Sequence, residues 1–143
     1  MALLARKGVL AIAAVIDVAL QSPGRPISAK TLAARHGLPP RHLEPVLQAL
    51  VRERILKGIR GPRGGYEIAR DRRQVTLNDI LRAAGTVEDI DEQPAGSDLL
   101  SKVVLPALSS AELEFGIALS RINVEDMVRS AEILENPQAG PSA

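Results

Sequence analysis

Residues 55–70, ILKGIRGPRGGYEIAR, are the place where apolar spacing drops to two in a chain that otherwise repeats with helical period. Ile55, Lys57 and Ile59 alternate with Leu56, Gly58 and Arg60, and Tyr66 and Ile68 alternate with Glu67 and Ala69. Such alternation sends successive side chains to opposite faces of a strand. GPRGG between the two runs supplies what a tight turn demands. Pro62 suits position i+1, and Gly64 and Gly65 tolerate positive φ. The expectation is one two-stranded hairpin in a mainly α protein.

Helices before the hairpin are marked by their ends. Leu4, Val9, Ile12, Val15, Ile16, Val18 and Ala19 give residues 3–21 a wide apolar arc, as in a helix at the middle of a core. SPGRP at 22–26 ends it. Ser28 is the N-cap candidate for AKTLAARHG, and Gly37 suits the position after its last turn. A second helix follows, RHLEPVLQALVRERI, with Leu43, Val46 or Leu47, and Leu50 facing inward. Helix, short turn, helix is the helix-turn-helix outline. Pro45 lacks the N–H that a helix interior needs, which favours a late start for that second helix. After the hairpin, Thr76 caps TLNDILRAAG, with Asp79 at N3 completing a capping box and Gly85 ending the helix.

The chain holds one Tyr, one Phe and no Trp, so its core must be aliphatic. It has no cysteine, which excludes disulfides, thiolate metal sites and cysteine-ligated iron–sulfur clusters. The net charge of +1 hides a division. Residues 1–73 carry 14 Lys and Arg against 5 Asp and Glu, and residues 74–143 carry 4 against 12. A division of +9 against −8 points to a polyanionic partner for the first half. ARKGVLAIAAVI resembles a leader peptide, but Asp17 interrupts the run, no small-x-small site follows, and the stretch is too short to span a bilayer. It reads as a buried helix of a cytoplasmic protein without a membrane segment.

Residues 86–98, TVEDIDEQPAGSD, read as an acidic linker loop. Beyond them Leu100, Val104, Leu108, Ala111, Phe115, Ala118 and Ile122 form a stripe with coiled-coil-like spacing, expected to be a dimer interface. Pro106 should kink or break that helix near residue 105. Asn123 restarts a short helix, VEDMVRSAEIL. The expected organisation is a winged-helix DNA-binding domain at 1–85, the linker at 86–98, dimerisation helices at 99–134 and a frayed tail at 135–143.

Three helices followed by a two-stranded hairpin is the order of a winged helix-turn-helix, in which the third helix enters the major groove and the hairpin reaches phosphates or the minor groove. That accounts for arginines at and around a turn. Duplex DNA carries about one negative charge per 1.7 Å of axis, and neutralising it releases counterions. Arg63 at a glycine-flanked tip can enter a narrow groove. Arg60 can grip a phosphate or a guanine bidentately. Arg70, Arg72 and Arg73 extend the basic surface. Arg41 and His42 stand at the amino end of the third helix, and Glu44 can accept from cytosine N4.

RKGVLAIAAVIDVAL, SAKTLAARHGLPPRHLEPVLQALVRERIL, IRGPRGGYEIAR and VTLNDILRAAG together resemble the Rrf-two (Rrf2) family of bacterial transcriptional regulators, from about residue 6 to residue 132. The resemblance implies a homodimer on a pseudo-palindromic operator, with DNA contacts from Arg41, His42 and Glu44 on the helix and from Arg60, Gly61 and Arg63 on the wing. It also implies contacts exchanged between subunits through the C-terminal helix. Many members hold a sensing cluster on three cysteines just after the fourth helix. Here that segment is VEDIDEQPAGSD, which resembles the clusterless branch of the family, so no cofactor is expected.

Other readings carry less. His36 and His42 lie six residues apart across a Pro-Pro turn with no third ligand near, and His36 reads as a solvated helix-end residue. Glu88, Asp89, Asp91, Glu92 and Asp98 lack the glycine of a calcium loop and read as a solvated cluster. GPRGG opens no helix and lacks the Lys-Ser/Thr of a phosphate-binding loop. No nucleophile–base pair or H-E-x-x-H suggests an enzyme. A winged-helix protein-interaction module, or a nucleic-acid binder without sequence preference, fits the charge division as well. Arg41, His42 and Glu44 beside an arginine-bearing wing favour specific readout of double-stranded DNA by a homodimer, read as a repressor, with any small-molecule or protein effector left open.

Overall fold

The computed structural model describes residues 6–21, 24–85 and 96–135. Helix α1 spans Arg6–Gln21, α2 Ala29–Arg35 and α3 Pro40–Arg52. Strands β1 (Leu56–Ile59) and β2 (Gly65–Ile68) form the antiparallel hairpin, pairing Leu56 with Ile68 and Ile59 with Gly65. A 3₁₀ turn at Arg72–Gln74 leads to α4 (Leu77–Ala83). A π-helical turn at Leu100–Val104 runs into α5 (Leu105–Ser120), and α6 (Val124–Glu135) closes the described chain. The protein is mainly α with one small sheet, as expected.

The element ends follow local chemistry. Ser28 accepts the Thr31 amide at 3.1 Å and so caps α2, while Gly37 takes φ +64° after its last turn. Thr76 and Asp79 satisfy each other's backbone amides at 3.1 and 3.0 Å, the reciprocal box that starts α4. Asn123 and Asp126 repeat the device at α6, with bonds of 2.8 and 3.1 Å.

Burial of one face organises the domain. Helix α1 packs against α3, α4, α6 and β2. Leu32, Leu43, Leu47, Leu50, Ile55 and Ile80 are almost wholly withdrawn from water around it. Each contributes about 1.5–3 kcal/mol, a large share of a small domain's stability. Val124 and Val128 of α6 join the same core. The α5–α6 junction is stitched to the residues before α4: the Leu77 amide donates to the Ile122 carbonyl at 2.9 Å, and Val124 to Val75 at 2.8 Å.

Both interior prolines are accommodated within continuous helices. Helix α3 does not start late. Pro39 is extended (φ −66°, ψ 137°) as the residue before a proline must be, and Pro40 occupies the first helical position. Pro45 therefore lies inside α3, where a proline costs about 3 kcal/mol relative to alanine. Helix α5 does not break at Pro106. Leu100–Val104 ahead of it widen to π-helix, with the Leu105 amide donating back to the Leu100 carbonyl. The wider turn makes room for a residue that lacks an N–H and crowds the carbonyl four places before it.

Candidate nucleic-acid interface

Helix α3 has two unlike faces. Leu43, Val46, Leu47 and Leu50 are buried, whereas Arg41, Glu44, Pro45, Gln48 and Arg52 are all exposed. Their spacing of i, i+3, i+4, i+7 and i+11 puts those five on one side. Gln48 and Arg52 were not singled out from sequence. Their signal was the same spacing, continued two turns beyond Glu44. His42 is also exposed but sits about 100° round the helix from Arg41, on the flank of this face. No side chain caps the amino end of α3, because Pro39 at the cap carries no acceptor.

The wing is built by its glycines. The Gly64 amide donates to the Gly61 carbonyl at 2.9 Å, which makes Pro62 position i+1 of the turn. A Cβ on Gly64 would lie 2.1 Å from the Ile59 carbonyl oxygen. Gly65 has φ +154°, and a Cβ there would lie 2.4 Å from the Ile27 carbonyl. That close approach exists because Ile27 and Tyr66 exchange backbone hydrogen bonds at 3.1 and 2.8 Å, docking the hairpin on the segment before α2. The tip so held exposes Arg60, Gly61 and Arg63.

The arginines divide by partner. Among the described residues, the side chains of Arg41, His42, Glu44, Arg60 and Arg63 make no hydrogen bond or ion pair. Arg70, Arg72 and Arg73, expected to extend the basic surface, are engaged within the fold. Arg70 donates to the carbonyls of Glu53 at 2.6 Å and Arg54 at 3.1 Å. Arg72 reaches the Ala19 carbonyl at 3.3 Å and the Glu125 carboxylate at 2.9 Å, tying α1 to α6. Arg73 pairs with Asp71 at 3.2 Å and holds that carboxyl below the usual aspartate range. His36 is not a freely solvated end residue either. Its Nε2 lies 3.3 Å from the Asp17 carboxylate, and that carboxylate accepts from Arg35, which clamps the end of α2 to α1.

The apolar stripe lies largely at the surface of the single chain. Of its members, Leu100 and Phe115 are half-buried, and Val104, Leu108, Ala111, Ala118 and Ile122 are exposed. The side of α5 turned towards the domain is Leu105, Ser109, Glu112, Gly116 and Leu119. Leu113 is 65% exposed and Leu108 52%, so apolar groups face water on more than one side. Residues 100–120 are long and apolar enough to cross a membrane by length and composition alone. The expected acidic cluster lies outside the described residues except for Asp98, which sits 3.4 Å from Lys102.

A family model for Rrf2, described as an iron-dependent transcriptional regulator, matches residues 4–130. The chain belongs to the Rrf2 family. This Rrf2 protein is 29% identical over 140 residues to the HTH-type transcriptional regulator IscR of Sodalis glossinidius, covering 92% of this chain and 82% of that one. It is 41% identical over 87 residues to BadM of Rhodopseudomonas palustris, and that match spans about half of BadM, 53% of its length. Among solved structures it resembles T. potens IscR with a TM-score of 0.71 at 27% identity, covering 97% of this chain and 91% of that one. CymR of B. subtilis shares the fold at 22% identity and a TM-score of 0.65, covering 87% of this chain and 94% of that one. The relatives are transcriptional regulators rather than enzymes, and this Rrf2 protein is a DNA-binding transcriptional regulator.

The iron in the family's description does not fit this donor set. The chain has no cysteine, and among the described residues no three His, Asp or Glu side chains converge as metal ligands.

Proposed function

We propose that the protein is a cytoplasmic repressor that binds a pseudo-palindromic operator as a homodimer, without a cysteine-ligated iron–sulfur cluster. The observation that carries this reading is the division of the arginines. Those behind the wing are bound within the fold, while Arg41, Arg60 and Arg63 stand exposed with no partner among the described residues. Unpaired cations on a helix face and a hairpin tip suit phosphates and base edges. Arg41 and Glu44, with His42 at the flank, enter the major groove on α3. Arg60, Gly61 and Arg63 contact the backbone or minor groove from the wing. Gln48 can pair with adenine in the same groove.

The exposed apolar surface of α5 supports the second copy. Leu100, Val104, Leu108, Ala111, Phe115, Ala118 and Ile122 would be covered by their counterparts in a two-fold contact. On this account residues 1–85 are the DNA-binding domain and 99–134 the dimerising part, joined through 86–98. Two recognition helices would then lie about 34 Å apart, one turn of DNA. Footprinting on the DNA upstream of its own gene, with the mass in solution measured alongside, tests this. Two protected half-sites one turn apart and a dimeric mass are expected. A single protected patch bound by a monomer contradicts it.

A further inference from the structure

We infer that Pro45 reads the 5-methyl group of a thymine, so that the protein selects one T·A pair in each half-site by apolar contact rather than by hydrogen bond. The inference rests on the DNA-facing role proposed for α3. Pro45 is the one apolar residue among the exposed side chains of that face, set between Glu44 and Gln48 and one turn beyond Arg41. Those neighbours are hydrogen-bonding groups. The pyrrolidine ring offers methylenes only, and it has neither donor nor acceptor.

The fold gives the ring no reason to be there. It forfeits a helical hydrogen bond to the Arg41 carbonyl, and it lies on the exposed side of α3, outside the buried core that offsets such costs elsewhere. A residue that weakens its own helix and lies exposed outside the core in the monomer has its use in what the helix meets. Base edges in the major groove present hydrogen-bonding atoms and a single apolar group, the thymine methyl. A proline meets that group well, because its ring has no rotamer freedom to lose on contact.

The full-length chain selects its preferred duplex from a random pool. Each thymine of that duplex is then replaced singly by deoxyuridine, which deletes the methyl and nothing else. One thymine per half-site should weaken binding about fourfold, the worth of one methyl group withdrawn from water. Pro45→Gln should abolish the effect of that replacement and leave the effects at other thymines unchanged. Glutamine restores the amide N–H and favours helix, so this variant should melt at or above the wild-type temperature. Pro45→Ser serves in its place if the glutamine variant is unstable. Equal binding of every deoxyuridine duplex, or an unchanged profile in the variant, overturns the inference while the operator reading stands. Selection that enriches no sequence removes the operator reading and the inference with it.

Discussion

Arg70 donates from Nε to the carbonyl of Arg54 at 3.1 Å and so closes the end of helix α3 instead of reaching outward. Arg54 takes a left-handed φ of +60° there, a conformation glycine usually supplies. A second bond from Arg70 to the Glu53 carbonyl satisfies another helix-end acceptor. Arg63, seven residues earlier in the chain, has no such duty. The two arginines thus separate into one engaged within the fold and one left exposed at the wing tip.

That separation is measurable. Arg70→Ala should lower stability by about 1 kcal/mol, the low end for bonds to a charged donor because the site is solvent-exposed. It should leave the salt dependence of DNA binding almost unchanged. Arg63→Ala should do the reverse, weakening binding to all sequences and reducing the salt slope by about one contact with no change in melting. Thermal melts and binding titrations over a salt series read both. Identical behaviour of the two variants would refute the division.

Gly65→Ala tests how the wing is mounted. The added carbon would press on the Ile27 carbonyl, and the backbone is in a region that L residues avoid. A loss of roughly 2–3 kcal/mol is expected from chemical denaturation. Gly58→Ala, one pair away on β1 with open space at its Cβ, should cost far less. Equal losses would mean that the Ile27–Tyr66 bridge does not set the wing's position.

Glu44→Ala addresses readout. If Glu44 accepts from cytosine N4, its loss should change preference at one base pair by about 1–3 kcal/mol while overall affinity for other sites holds. Competition binding with operator variants measures this. A uniform change across all variants would assign Glu44 to general electrostatics.

Leu108→Glu is the cleaner probe of the subunit contact, because Leu108 is half in water within one chain and its replacement should not disturb the core. Each copy would forfeit about 1.5–3 kcal/mol of burial, twice over in a two-fold contact. Sedimentation should show monomers with weak operator affinity. Phe115→Glu should act in the same direction, with some loss of monomer stability since Phe115 is half-buried. A dimeric Leu108→Glu protein would place the contact elsewhere.

Local chemistry made much of this fold legible. The Ser28 cap, the Thr76–Asp79 box, the Pro62 turn and the inward Leu43–Leu50 face each depend on residues within a few positions of one another. The exposed face of α3 was readable for the same reason, since period and composition place Arg41 and Glu44 on one side. What escaped depends on distance along the chain. The partners of Arg70 and Arg72 lie 16 to 53 residues away. An arginine that closes a helix is therefore indistinguishable in sequence from one that meets phosphate. Near Pro106 the spacing alone allows a kink or a break, and the π-turn before it relieves the same clash without ending the helix. Spacing on α5 reports one apolar face but not that Leu113 and Ile117, off that stripe, are exposed too.

The central claim is specific recognition of DNA, and it is tested most directly by binding of the full-length chain to the duplex upstream of its own gene, against a scrambled duplex of equal length, at low salt and at about 150 mM, where non-specific contacts weaken steeply. The account predicts a preference for the native duplex that persists at the higher salt. Equal and salt-labile binding to both duplexes would contradict operator recognition there and leave a general nucleic-acid binder or distant target sites. No binding at either salt would contradict the DNA-facing role of α3 and the wing altogether.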